Sequence, residues 1–233
     1  MSEEPRGAPD VDLGRVWTGV AAQVWRRRPG WLERKAALVL RSPGLARALL
    51  TTPSLLLPWL IASVVVLGAG AAATLGTGQP LVPLIAPAIA GAGIAYAYGP
   101  GIDPAWELSC SMAISDRMVL LVRALSVFGV NAALGLAASA VSGTAAAVTF
   151  GWLVPMTAVC GLALAAATLA RSANVGVAAG LAGWLITILC GRVAAGRLTA
   201  VVSSSALVVP YLAAAACCGA IIVFATRMSR GAS

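Results

Sequence analysis

The chain has no histidine and a single lysine, Lys35. Without histidine there is no Ser-His-Asp triad, no imidazole general base and no histidine-ligated metal. A Walker A loop needs a lysine after its glycines, because backbone amides cradle the phosphates while the lysine reaches the terminal ones. The context Trp31-Leu-Glu-Arg-Lys35 is not such a loop, so this chain has no P-loop of its own. Acidic residues are scarce: after position 47 only Asp103, Glu107 and Asp116 occur. The five cysteines form no C-x-x-C pair and lie mostly in apolar runs, so they read as small packing residues rather than zinc ligands. Charged residues make up 10% of the 233, against about 25% in an ordinary soluble domain. A water-soluble globular enzyme is excluded on that ground.

Hydrophobic residues make up 60% of the chain, and the charges are unevenly placed. None lies between Arg47 and Asp103, between Arg123 and Arg171, or between Arg197 and Arg227. A membrane-spanning helix needs ~20 apolar residues, and these gaps are long enough to hold several. The expected fold is an all-α polytopic membrane protein. Six spans fit, at about 54–76, 80–98, 118–142, 146–170, 174–194 and 204–226. The third and fourth are separated only by the tight turn Ser142-Gly143-Thr144. Pro80, Pro83 and Pro87 predict a kinked or unwound first half for the second span. Small residues at Gly176-x-x-x-Gly180 and over Ala213–Ala220 allow close helix approach. Packing within the bundle is favoured there over a dimer seam.

Before the spans, residues 1–12 read as a disordered tail without a secretory signal. Residues 13–52 read as short interfacial helices, broken at Pro29-Gly30 and Pro43-Gly44. Their apolar side would lie at the acyl boundary, with Arg26, Arg27, Arg28, Trp31, Arg34 and Lys35 at the lipid headgroups. The transmembrane domain covers 53–227 and a cytoplasmic tail 228–233. Nine of the sixteen basic residues precede position 53. The positive-inside rule therefore places both termini in the cytoplasm, with Arg192 and Arg197 as the exceptions.

The loop between spans 2 and 3 is the most informative segment. Asp103-Pro104 is a helix start, a capping side chain followed by proline at the first helical position. Glu107 falls in the first turn, where the helix dipole favours a negative charge. Trp106 and Met112 are the large apolar groups, Ser115 caps the third span, and Arg117 and Arg123 face the cytoplasmic side, Arg123 by snorkelling. A membrane subunit without catalytic residues needs a rigid cytoplasmic element that another protein can grip. Aromatic and Met side chains suit an interface core. The other reading is an interfacial helix whose tryptophan marks the headgroup level.

The stretch Trp106-Glu107-Leu108-Ser109-Cys110-Ser111-Met112-Ala113-Ile114-Ser115, followed by Arg117 and Arg123, resembles the coupling-helix segment of type-2 ABC exporter permeases. Ala113 stands where that family usually has proline. The basic helix 31–50 and the spans over 54–226 are similar to the family's layout. The resemblance implies a six-span permease subunit that is not itself an enzyme. It would be driven by a separate ATPase docked on Asp103, Trp106, Glu107, Met112, Ser115 and Arg117. ATP and Mg²⁺ would bind in that partner, with no cofactor here. A second permease subunit, itself or a paralogue, would complete the export path in a bacterial-type cytoplasmic membrane, with lipid as the surrounding partner and no nucleic acid. The resemblance also implies that spans 2 and 5 line the path, making Tyr96, Asn174 and Trp184 candidates. Belt positions for Tyr96 and Trp184 and a capping role for Asn174 are the alternative. Residues 191–204 are either a re-entrant outer element or a plain interfacial loop. The alternative function is a membrane-bound regulatory protein. An ion-coupled secondary transporter would need acidic residues or histidine inside the spans, and there are none.

Overall fold

The structure is a computed structural model that describes residues 12, 14–19, 30–41, 53–96, 116–143, 151–196 and 200–228. The chain divides into two compact units, Met1–Arg47 and Ala48–Ser233. Within the first unit, residues 14–19 are helical, and the Asp12 carboxylate accepts from the Arg15 backbone N–H at 3.1 Å. Helix α1 follows over Trp31–Leu40 and ends at Arg41, which takes a left-handed conformation at φ 49°. One turn apart on α1, the Lys35 ammonium lies 4.6 Å from the centroid of the Trp31 ring, a cation–π pair. Trp17, Trp31 and Leu38 are all exposed. Arg26, Arg27 and Arg28 lie outside the described residues.

The second unit contains α2 (Pro53–Thr77), α3 (Val82–Tyr96), α4 (Asp116–Val141), α5 (Leu153–Ala170) and α6 (Ala173–Ala195). A short helix α7 (Ala200–Ser203), a 3-10 turn (Ser205–Leu207) and α8 (Val208–Met228) complete it. The described residues contain no strand. Five stretches are long and apolar enough to cross a membrane: Trp59–Thr77, Leu120–Val141, Leu153–Ala170, Ala173–Val193 and Ser205–Thr226. This is the make-up of a multi-pass helical membrane protein.

The second expected span differs from the other five. Helix α3 has 15 residues, which reach roughly 22 Å at 1.5 Å per residue, less than the ~30 Å hydrocarbon core. Residues 78–81 before it are not helical, and residues 97 and 98 of the expected span lie outside the described residues. Protein covers this helix: Val82, Ala86, Ala90, Ile94 and Ala95 are buried, and α2, α4, α5 and α6 all pack on it. Irregular backbone at membrane depth is tolerated where protein surrounds it. Here the Leu81 N–H donates to the Thr74 hydroxyl at 3.2 Å. Pro87 lies inside α3 and loosens the turn before it. The Trp184 indole N–H of α6 donates to the Leu84 carbonyl in that turn, at 2.7 Å.

Small residues set the spacing of α3, α5 and α6. A Cβ added at Gly176 would sit 2.6 Å from the Ala163 carbonyl oxygen, 2.7 Å from the Ala167 Cβ and 3.0 Å from the Ala95 Cβ. At Gly180 it would sit 2.9 Å from the Ala163 Cβ. The Gly-x-x-x-Gly face therefore packs inside the bundle. Helix α8 rests on α5 through Ala215 and Cys218 against Gly161. Much of the rest of Ala213–Ala220 is exposed.

Gly143, at φ 67°, makes the turn that closes α4, as the Ser-Gly-Thr stretch predicts. Gly196, at φ 65°, ends α6. Within 191–204, Val201 and Val202 fold against the bundle, while Arg192, Val193 and Gly196 are exposed. The Val201 side chain fills the space over Gly191, and the Val202 carbonyl lies against Gly151. The Tyr211 hydroxyl donates to the Val201 carbonyl at 3.2 Å. Arg192 is exposed, and Arg197 lies outside the described residues.

Candidate functional site

Along α4 the residues Arg123, Val127, Asn131, Gly135 and Ser139 recur every fourth position, so they share one face. That face is buried, with Arg123 9% exposed, Asn131 1% and Ser139 0%, and Ser142 continues it. Leu121, Leu125, Val130 and Val141 occupy other faces and are exposed. A helix among lipids turns polar groups inward because hydrocarbon leaves them without partners. Arg123 follows this rule. Arg123, expected to reach the cytoplasmic side by snorkelling, is buried on this stripe.

Opposite the stripe lie α2 and α3, and the three helices are in mutual contact. At Gly93 of α3 the Trp59 indole and the Val127 side chain converge, where a Cβ would stand 3.1 Å from Val127 Cγ1 and closer still to the indole nitrogen. Ser63 is one turn beyond Trp59 on α2 and is 1% exposed. Asn131 is one turn beyond Val127 on α4.

The helix directions follow from residue pairs. Helices α2 and α3 are antiparallel, since Gly70 meets Val82 while Trp59 meets Gly93. Helix α6 is antiparallel to α3, by Gly176 with Ala95 and Trp184 with Leu84, and to α5, by Gly176 with Ala167 and Gly183 with Leu162. Helices α3 and α5 are parallel, by Gly91 with Val159 and by Ala95 and Ala163 together at Gly176, so Val127 at Gly93 and Gly135 at the Trp152 ring, just before α5, make α4 antiparallel to both. It follows that α2 and α4 run the same way. Ser63 and Asn131 therefore reach the same level, opposite the Ala90 turn of α3. Both stand near the middle of helices of 25 and 26 residues.

The polar atoms at this level are poorly served. Asn131 donates from Nδ2 to the Val127 carbonyl at 3.0 Å, but its Oδ1 accepts nothing. The Ser63 hydroxyl, the Trp59 indole N–H and the Trp152 indole N–H are likewise buried without a partner. Each such group costs about 1–3 kcal/mol relative to a paired one. Near the far end of α4, the Ser142 hydroxyl donates to the Ser139 carbonyl at 2.9 Å. Among the described residues no group of His, Cys, Asp and Glu is placed to hold a metal.

The residues singled out in the sequence fall elsewhere. Asp103, Trp106, Glu107, Met112 and Ser115 lie outside the described residues. Arg117 is the second residue of α4, with its side chain outside the description. Tyr96, at the end of α3, is exposed, as is Asn174 in the first turn of α6. Those two ends adjoin, since Ala95 meets Gly176. Asn174 does not cap α6; that position belongs to Ser172. Trp184 is 3% exposed and sits more than two turns further along α6, bonded to Leu84. Ser63, Asn131, Trp59 and Trp152 escaped the sequence reading. The four-residue spacing of α4 was the available signal. Compared with protein-family models, curated proteins and solved structures, the chain matches none.

Proposed function

We propose that the chain is the membrane subunit of a transporter worked by a separate ATPase, of the type-2 ABC exporter kind that residues 106–117 resemble. One observation carries this reading. The buried polar stripe lies on the helix that begins at Asp116, immediately after the segment read as the coupling element. A push on residues 103–115 would pass along α4 as a rigid body and shift Arg123 and Asn131 against α2 and α3. An ionisable residue facing the inside of a membrane bundle is a functional position by default, because its desolvation must be offset by something.

In this reading α3 is the sixth and central membrane element, and both termini are cytoplasmic. Helix α1 lies at the membrane interface with Trp31 and Lys35 at the headgroups. A second permease subunit encloses the path with this one. Tyr96, Asn174 and Trp184 are path-lining only if the bundle opens between α3 and α6. The test is affinity purification of the tagged chain in mild detergent, with partners identified by mass spectrometry. Recovery of a P-loop ATPase in near-equal amount is the expected result. Recovery of this chain alone, across several detergents and with nucleotide present, would overturn the reading.

A further inference from the structure

We infer that the α2–α3–α4 interior is the closed form of a crevice that opens to take water at mid-height, between Ser63 and Asn131. The two side chains are each 1% exposed, and each stands one turn beyond the contact of Trp59 and Val127 at Gly93. Asn131 Oδ1 is an acceptor without a donor, the Trp59 indole N–H a donor without an acceptor, and the Ser63 hydroxyl can serve as either. Water, which donates and accepts, complements that set. An alkyl chain leaves all three unmet, and a bare anion meets the donors but repels Asn131 Oδ1.

Helix α2 is pinned to α3 where the Trp59 indole lies on Gly93, and its second half is the part placed to move. Over that half it meets α3 at ordinary van der Waals distance, 3.5 Å to Ile85 and 3.6 Å to Val82 from a Cβ position at Gly70. Helices α3, α5 and α6 are locked far more closely through Gly91, Gly176 and Gly180. Arg123, two turns from Asn131 on the same face, puts a permanent charge at one end of the seam and draws water toward it. The inference concerns hydration and stands apart from the ATPase reading.

The test uses the full chain in membranes, with Ser63→Cys, Asn131→Cys and, as the outward-facing comparison, Val65→Cys, whose side chain is 61% exposed on α2. Vesicles are opened by freeze–thaw so that a charged methanethiosulfonate reagent reaches both faces. Labelling is read site by site by mass spectrometry, so the native cysteines stay in place. Only a thiolate reacts, and a thiol in hydrocarbon stays protonated. Ser63→Cys and Asn131→Cys are therefore expected to label about tenfold faster than Val65→Cys or more. If Asn131→Cys does not assemble, Val127→Cys, which faces the same seam, replaces it. Labelling of either seam position no faster than Val65→Cys overturns the inference. That result leaves the partner experiment undecided, just as failure to recover an ATPase would leave this one standing.

Discussion

Replacing Gly176 with alanine adds one methyl group where three helices meet. The new carbon would lie 2.6 Å from a backbone oxygen of α5, 2.7 Å from the Ala167 methyl and 3.0 Å from the Ala95 methyl of α3. None of these is the end of a flexible side chain, so relief requires moving a helix. Overpacking of this kind costs about 1–3 kcal/mol, which lowers the folded-to-unfolded ratio roughly 5- to 150-fold at about 1.4 kcal/mol per decade. Alanine also gains helix propensity over glycine, by up to about 1 kcal/mol. Gly219→Ala makes the same gain at a position with nothing within 4 Å of the added carbon. The difference between the two variants isolates the packing term. Denaturation of the purified protein in detergent measures it, with Gly176→Ala expected to be less stable than Gly219→Ala by about 1–3 kcal/mol. Equal stability would refute the claim that this glycine fixes the α3–α5–α6 spacing.

Three further outcomes are expected. Trp184→Phe keeps most of the ring and removes the bond to Leu84, so it should cost about 0.5–1.5 kcal/mol in the same denaturation assay. Asn131→Leu removes a side chain whose Oδ1 is unmet, so stability should stay within about 1 kcal/mol of the parent; transport, once the cargo is known, should fall, and retained transport would detach the stripe from function. Trp106→Ala and Glu107→Ala should leave membrane insertion intact and uncouple ATP hydrolysis from transport, and normal coupled transport in both would remove the coupling-helix assignment.

The spans were legible because a run of apolar residues is a statement about solvent, and averaging over ~20 residues suppresses local noise. The Ser142-Gly143 turn was legible because glycine takes a positive φ at little cost. The same averaging hid the site. Asn131 and Ser63 are single polar residues in apolar helices, and a window that finds the span dilutes them. Only the phase of the helix, read at every fourth residue from Arg123, separates an inward asparagine from an outward one. The direction of Arg123 depends on which neighbours stand beside α4, and that is a tertiary fact. The short α3 was half legible: Pro80, Pro83 and Pro87 announced an irregular start. They did not show that four helices would surround it.

That enclosure bears on how the protein is made. Helix α3 is synthesised before α4, α5 and α6, the neighbours that cover most of it. At that moment it is too short to hold a membrane well alone, and its unwound start leans on Thr74 of α2. Its stable entry into the bilayer is then as half of a hairpin with α2, and its final seat waits for Trp184, 100 residues beyond Leu84. A chain cut after α4 would leave α3 without Trp184, the partner of its Leu84 carbonyl, and without the Gly176 face.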